Sequence, residues 1–166
     1  MLHPGKDFEA RPTTDFAKES LFNILNNSYD FEELEVLDLF AGTGSISFEF
    51  ASRECRHVDT VEMSAKHAAF IQKTAKELNF AQLRLYKLNA FVFLKTCKLK
   101  YDVVFADPPY DMEGVETLPE LVLERGALLK PDGIFILEHA KKISFSKHPN
   151  LVEHRSYGSV NFSFFK

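Results

Sequence analysis

The chain alternates short apolar runs with longer stretches in which apolar residues recur every three or four positions. That succession predicts an α/β fold, a parallel sheet whose strands are separated by helices. The first run, Val36-Leu-Asp-Leu-Phe40, leads directly into Ala41-Gly-Thr-Gly-Ser45. A second strand is predicted over His57-Val-Asp-Thr-Val61, ending at Glu62. After Ser64, an N-cap by residue type, Ala68, Ile71, Ala75 and Leu78 form the apolar stripe of a helix that stops near Asn79. Leu83 to Leu88 supply a third strand. Tyr101-Asp-Val-Val-Phe-Ala106 is a fourth, apolar enough to be central and covered on both faces. Lys130-Pro-Asp-Gly133 reads as a turn leading into Ile134-Phe-Ile-Leu137. Leu151 to Phe165 alternates loosely about Tyr157-Gly158-Ser159, as an antiparallel hairpin at the sheet edge would. Ile46, Phe48 and Phe50 alternate with polar residues and locally favour a strand. A glycine loop after a strand is usually followed by a helix, however, and a helix is expected there.

Composition limits the options further. With 166 residues, 45% hydrophobic and 27% charged, and with no repeat or linker, the chain has the size of a single domain over residues 1–166. Such a domain buries roughly 70% of the surface its unfolded chain exposes, enough for a core without staples. Cys55 and Cys97 are too few for a disulfide framework, and the six His follow no metal-ligand spacing, so reduced thiols and no metal are expected. The amino terminus lacks the design of a signal peptide, and no stretch free of Asp, Glu, Lys and Arg exceeds ten residues. A cytoplasmic monomer, off the membrane, is the expectation.

The chemistry sits where strands end. Asp38-Leu-Phe40-Ala41-Gly42-Thr43-Gly44 brings small residues to the carboxyl edge of the sheet, where open α/β sheets bind ligands. Twenty residues beyond Gly42, Glu62 ends the next strand, in position to accept both hydroxyls of a ribose. A nucleoside-containing cofactor is indicated, though the dinucleotide pattern G-x-G-x-x-G is incomplete because Ser47 takes the third place. The carboxylate of Asp38 suits an amine or a sulfonium better than a phosphate.

Asp107-Pro108-Pro109-Tyr110 follows the fourth strand directly. Two prolines remove two backbone N–H donors, so carbonyl oxygens and the Asp107 carboxylate leave a site that only accepts hydrogen bonds. An amine is its natural guest, and Tyr110 adds a ring on which a base can stack, worth about 1–3 kcal/mol in single-strand binders.

Leu37-Asp-Leu-Phe-Ala-Gly-Thr-Gly44 together with Asp107-Pro-Pro-Tyr110 resembles the class I S-adenosylmethionine-dependent amino methyltransferases. Arg11-Pro-Thr-Thr-Asp15, Lys18-Glu19, Leu21-Phe22-Asn23 and Glu138-His139 narrow the resemblance to the bacterial small-subunit ribosomal RNA guanine-N2 methyltransferases. It covers about Leu2 to Phe165. It implies a Rossmann-like fold, with a mostly parallel seven-stranded sheet of order 3-2-1-4-5-7-6 and helices on both faces. It also implies that Asp38 and the backbone from Phe40 and Ala41 through Gly42, Thr43 and Gly44 hold the methionine part of S-adenosylmethionine. Glu62 would hold the ribose, Met63 would pack on the adenine, and Asn89 and Ala90 would contact its edge. Asp107, Pro108, Pro109 and Tyr110 would be catalytic, with Arg11, Thr13 and Tyr110 contacting the RNA substrate. Asn89 stands where the family more often has Asp, and Phe16 replaces a usual Arg. Family members commonly begin with a basic β-rich segment not found before Leu2, so an amino-terminal truncation is expected.

The implied reaction moves a methyl group to the N2 amine of a guanine, whose protons Asp107 and the Pro108 carbonyl would hold. The base would be unpaired or flipped out. The net charge of −4 hides two basic segments, since residues 63–100 carry eight Lys or Arg against one Glu and residues 140–166 carry five against one. The expected partner is ribosomal RNA or the small ribosomal subunit. A DNA adenine-N6 methyltransferase, a protein glutamine methyltransferase, a non-catalytic cofactor-binding module and a nicotinamide-dependent dehydrogenase are the rival readings. The first would need a target-recognition region for which the chain has no room, and the second usually has Asn in place of Asp107.

Overall fold

Seven strands pair into one sheet in the computed structural model, which describes residues 14–125 and 127–166. They are β1 (Glu35–Leu39), β2 (His57–Val61), β3 (Leu83–Tyr86), β4 (Tyr101–Ala106), β5 (Leu129–His139), β6 (Leu151–Tyr157) and β7 (Val160–Phe165). Their order is β3-β2-β1-β4-β5-β7-β6, with β7 antiparallel to both its neighbours and the pairs from β3 to β5 parallel. This is the order that the resemblance implies. The expected RNA contacts at Arg11 and Thr13 lie outside the described residues.

Four helices, α1 (Asp15–Ser28), α2 (Ser45–Ser52), α3 (Ala65–Glu77) and α4 (Ala90–Thr96), flank the sheet, and short helical turns of mixed pitch run from Val115 to Arg125. The stretch after the glycine loop is helical, because Ile46, Phe50 and Ala51 fall on the side of α2 that faces the core. One face of the sheet packs Val36, Phe105, Ile136 and Phe162 against Leu21, Phe22 and Leu25 of α1 and against α2. The other packs Leu37, Val104, Phe135 and Leu137 against Phe93 and Leu94 of α4 and Leu118 and Val122. At about 25 cal/mol per Å² of apolar area removed from water, these two layers dominate the stability. Among the described residues no helix is long and apolar enough to cross a membrane.

Two expectations are corrected. The third strand stops at Tyr86 rather than Leu88, because Lys87 and Leu88 turn the chain into the cap of α4 at Asn89. Lys130 to Gly133 is no free turn but an irregularity inside β5. Tyr101 pairs with Leu129 and Val103 with Ile134, so β5 advances five residues while β4 advances two. Asp132 takes a left-handed φ of 65° there. A Cβ on Gly133 would lie 2.8 Å from the Lys130 carbonyl oxygen and 3.0 Å from that of Tyr101, so the close backbone approach requires glycine.

Candidate active site

The loop after β1 is built from left-handed residues. Phe40, Gly42 and Gly44 have φ of 56°, 59° and 85°, and for a side chain as large as Phe40 this conformation is strained by roughly 1–3 kcal/mol. The Ala41 N–H donates to the Val61 carbonyl and the Gly44 N–H to that of Ala41, which fixes the loop against β2. Gly44 is small for an internal reason. A Cβ there would meet Ile71 and Phe48 at 3.0 Å, so its missing side chain serves packing.

Beneath the loop Asp38 is buried, 1% exposed. Ser47, itself fully buried, donates its hydroxyl to Asp38 Oδ2 at 2.7 Å and lies 2.8 Å from the Thr60 hydroxyl. Burial pushes the Asp38 carboxyl up to about 7; hydrogen bonds from Ser47 oppose that rise, and the negative charge of Glu62 adds to it. Ser47, which spoils the dinucleotide pattern, is thus the residue that positions the acid under the loop.

Glu62 ties the loop to the end of β2. Its Oε1 accepts the Gly42 N–H at 2.7 Å and its Oε2 the Ser64 N–H at 2.9 Å, leaving each oxygen further lone pairs for hydroxyl donors. Met63, next along, is 63% exposed and forms an open apolar wall. Across from it, Asn89 caps α4, its Oδ1 accepting from Phe91 N–H at 2.8 Å and Val92 N–H at 3.3 Å while Nδ2 approaches the Met63 sulfur at 3.7 Å. Ala90 begins α4 and is buried.

At the end of β4 the second half of the site appears. Asp107, Pro108, Pro109 and Tyr110 border a cleft of about 40 Å³ together with Val115, Glu138 and Ser159. The Asp107 carboxyl is pushed well above the usual carboxylate range, first by burial and then by the negative charges of Glu138 and Asp38 and a hydrogen bond to Glu138. Tyr110 is 66% exposed. His139, the neighbour of Glu138, is buried; its Nε2 lies 2.7 Å from the Ser163 hydroxyl and its Nδ1 2.9 Å from the Ala140 carbonyl oxygen. Burial lowers its pKa, so it is a neutral structural ring.

The structure therefore brings Asp38, the glycine loop, Glu62, Met63 and Asn89 to the carboxyl edge of β1 and β2, with the Asp107 loop at the end of β4 beside them. The sequence reading used Glu138 only as a family marker. A signal was present, because Asp107 and Glu138 each follow an apolar run on what prove to be adjacent parallel strands. A larger groove of about 740 Å³ runs along α3 and β3, lined by alanines with Lys76 and Lys87. It holds none of these carboxyl groups.

Comparison with known proteins places the chain in a family. A family described as conserved hypothetical protein 95 matches residues 2–166. The ribosomal RNA small subunit methyltransferase D of Buchnera aphidicola subsp. Acyrthosiphon pisum is 33% identical over 135 residues, which are 81% of this chain and 69% of that protein. The protein of the same name from Haemophilus influenzae is 31% identical over 162 residues, 94% of this chain and 82% of that one. Some curated relatives are covered less fully, one of them over half of its length. Among solved structures, an Escherichia coli protein provisionally described as a methyltransferase superposes with a TM-score of 0.81 at 27% identity, covering 93% of this chain and 86% of that one. The chain belongs to the conserved hypothetical protein 95 family and has the class I methyltransferase fold, whose cofactor is S-adenosylmethionine.

Proposed function

We propose that this protein transfers a methyl group from S-adenosylmethionine to the exocyclic N2 amine of a guanine in small-subunit ribosomal RNA. The observation that carries the reading is the cleft at the end of β4, where the Asp107 carboxyl group and the Pro108-Pro109 backbone, which has no N–H to donate, stand beside an exposed Tyr110. The names of the relatives supply the ribosomal RNA.

The residues fit the cofactor. Glu62 and the carboxyl oxygens of Asp38 and Asp107 give the site the acceptors that a sulfonium and a ribose diol call for, and the exposed Met63 offers adenine an apolar surface. Asp38 and the backbone from Phe40 to Gly44 would hold its methionine end, Glu62 its ribose, and Met63, Asn89 and Ala90 its base. When bound, S-adenosylmethionine supplies an electrophilic methyl carbon.

The N2 amine of guanine is a poor nucleophile because its lone pair is delocalised into the ring. Asp107 and the Pro108 carbonyl oxygen accept its two protons and turn the lone pair toward the methyl carbon. Tyr110, exposed beside the cleft, offers its ring for the flipped base to stack on. Once the new N–C bond has formed, the surplus proton leaves to Asp107 or to water. The basic segments lie toward opposite ends of the sheet, one around β3 and the other around β6 and β7, and hold RNA phosphates on two flanks.

The test is transfer of labelled methyl from S-adenosylmethionine to naked small-subunit RNA, to assembled small subunits and to DNA. N2-methylguanosine in ribosomal RNA is the expected product, and Asp107→Ala should lower kcat about 10²-fold or more. Methylation of DNA alone, or full activity in Asp107→Ala, would sink the reading.

A further inference from the structure

Holding the N2 amine needs only two acceptors, yet the site contains a further carboxyl group. β4 and β5 run parallel with Ala106 opposite Leu137, so Asp107 and Glu138 are the next residues side by side. Glu138 is still within β5, paired across to Phe162 of β7, and is therefore held by the sheet rather than by a loop. Its side chain hydrogen-bonds the Asp107 carboxyl, and both residues border the cleft that contains Pro108 and Tyr110. Two carboxyl groups thus border one cleft, where the amine alone asks for one of them.

The Watson–Crick edge of guanine supplies a partner for the second. It presents two neighbouring donors, the N2 amine and the N1–H, whereas adenine and 2-aminopurine place an N1 acceptor beside their amine. We propose that Glu138 selects guanine by accepting the N1–H of the base whose N2 amine is held by Asp107 and Pro108. The proposal rests on the guanine-N2 reading above. A single proton shared between the Asp107 and Glu138 carboxyl groups would let the two residues act as two adjacent acceptors. The raised carboxyl of Asp107 agrees with that sharing. A base with an acceptor at N1 sets a lone pair against the Glu138 oxygen and leaves a buried acceptor unpaired, which is the strong form of discrimination.

The experiment first maps the methylated guanine in small-subunit RNA by digestion and mass spectrometry. It then compares kcat/KM for subunits bearing guanine or 2-aminopurine at that position. The wild-type protein should prefer guanine by about 10²-fold or more. Glu138→Gln, which can turn its amide N–H toward an N1 acceptor, should shrink the preference to about tenfold or less. In this variant S-adenosylmethionine should bind within about twofold of wild type by calorimetry, as an intact fold requires. Glu138→Asp, a carboxylate withdrawn by one methylene, should lose about tenfold on guanine and nothing on 2-aminopurine. It carries the test if Glu138→Gln does not fold. If guanine N2 is methylated but both variants lose activity equally on the two bases, or keep the wild-type preference, the role of Glu138 is overturned while the guanine-N2 reading stands. If no guanine N2 is methylated by wild type, that reading falls and this one with it.

Discussion

Asn89 divides its side chain between two tasks. The oxygen caps α4 through two backbone N–H groups, so the nitrogen is what faces Met63 and the adenine side of the proposed cofactor site. An outward amide nitrogen is a donor, and the exocyclic amine of adenine is a donor too. Asn89→Asp would keep the cap, add negative charge at a helix N-terminus and turn an acceptor toward that amine. It is expected to tighten S-adenosylmethionine binding by roughly three- to tenfold in calorimetry; unchanged or weaker binding would remove Asn89 from the adenine site. Asn89→Ala should instead cost about 1 kcal/mol in urea unfolding through the lost cap. Only the structure shows which end of this amide is committed, whereas the places of Asp38 within the first apolar run and of Glu62 at the end of the second can be read from the sequence. Ser47 was read there only as a missing glycine, because its partners Asp38 and Thr60 come together through the fold of β1, α2 and β2.

Among the elements, β5 positions the site through its irregularity. The extra residues between Leu129 and Ile134 restore a register in which Ala106 faces Leu137, and this in turn sets Glu138 beside Asp107. The bulged segment is pinned by Lys130, which donates to Glu35 at 2.7 Å and Asp102 at 3.3 Å, and by the Tyr29 hydroxyl on the Asp132 carbonyl oxygen at 2.8 Å. Gly133→Ala would push a methyl group against three backbone carbonyls, and backbone cannot rotate away as a side chain can. A loss of about 2–3 kcal/mol in urea unfolding is expected; a change below about 0.5 kcal/mol would show that the bulge tolerates a Cβ. From composition alone Lys-Pro-Asp-Gly reads as a turn, since propensity sees the residues and not the partner strand. The hairpin about Gly158 was legible for the opposite reason, its pairing being local.

Across the whole molecule, acids gathered at the carboxyl edge make stability depend on pH. Asp38 and Asp107 are both raised, so the folded state binds protons that the unfolded chain has already released. Their contribution is complete near and below the ordinary carboxylate range, and it is lost as pH rises through about 7 for Asp38. His139, lowered from 6.5 by burial, acts in the opposite sense at more acid pH and is neutral above that value in either state. Between about pH 6.5 and 8, the upper end of this fall, the protein without cofactor should therefore lose about 1 kcal/mol, read as a falling Tm, with Asp38→Asn flattening the slope. A Tm that is constant or rising over this window would mean that neither acid is held protonated. The cationic sulfonium of S-adenosylmethionine should reduce the slope by favouring the ionised acids.

The sequence by itself determined the α/β class, the loops that follow β1 and β4, and the lack of backbone N–H donors at Pro108 and Pro109. Each of these follows from local patterning or from what a residue type can donate or accept. The tertiary structure alone decided which acids meet. Neighbouring carboxyl groups such as Asp107 and Glu138 are separated by a whole crossover in the chain, and strand register, fixed by a bulge and by packing on both faces, makes them a pair.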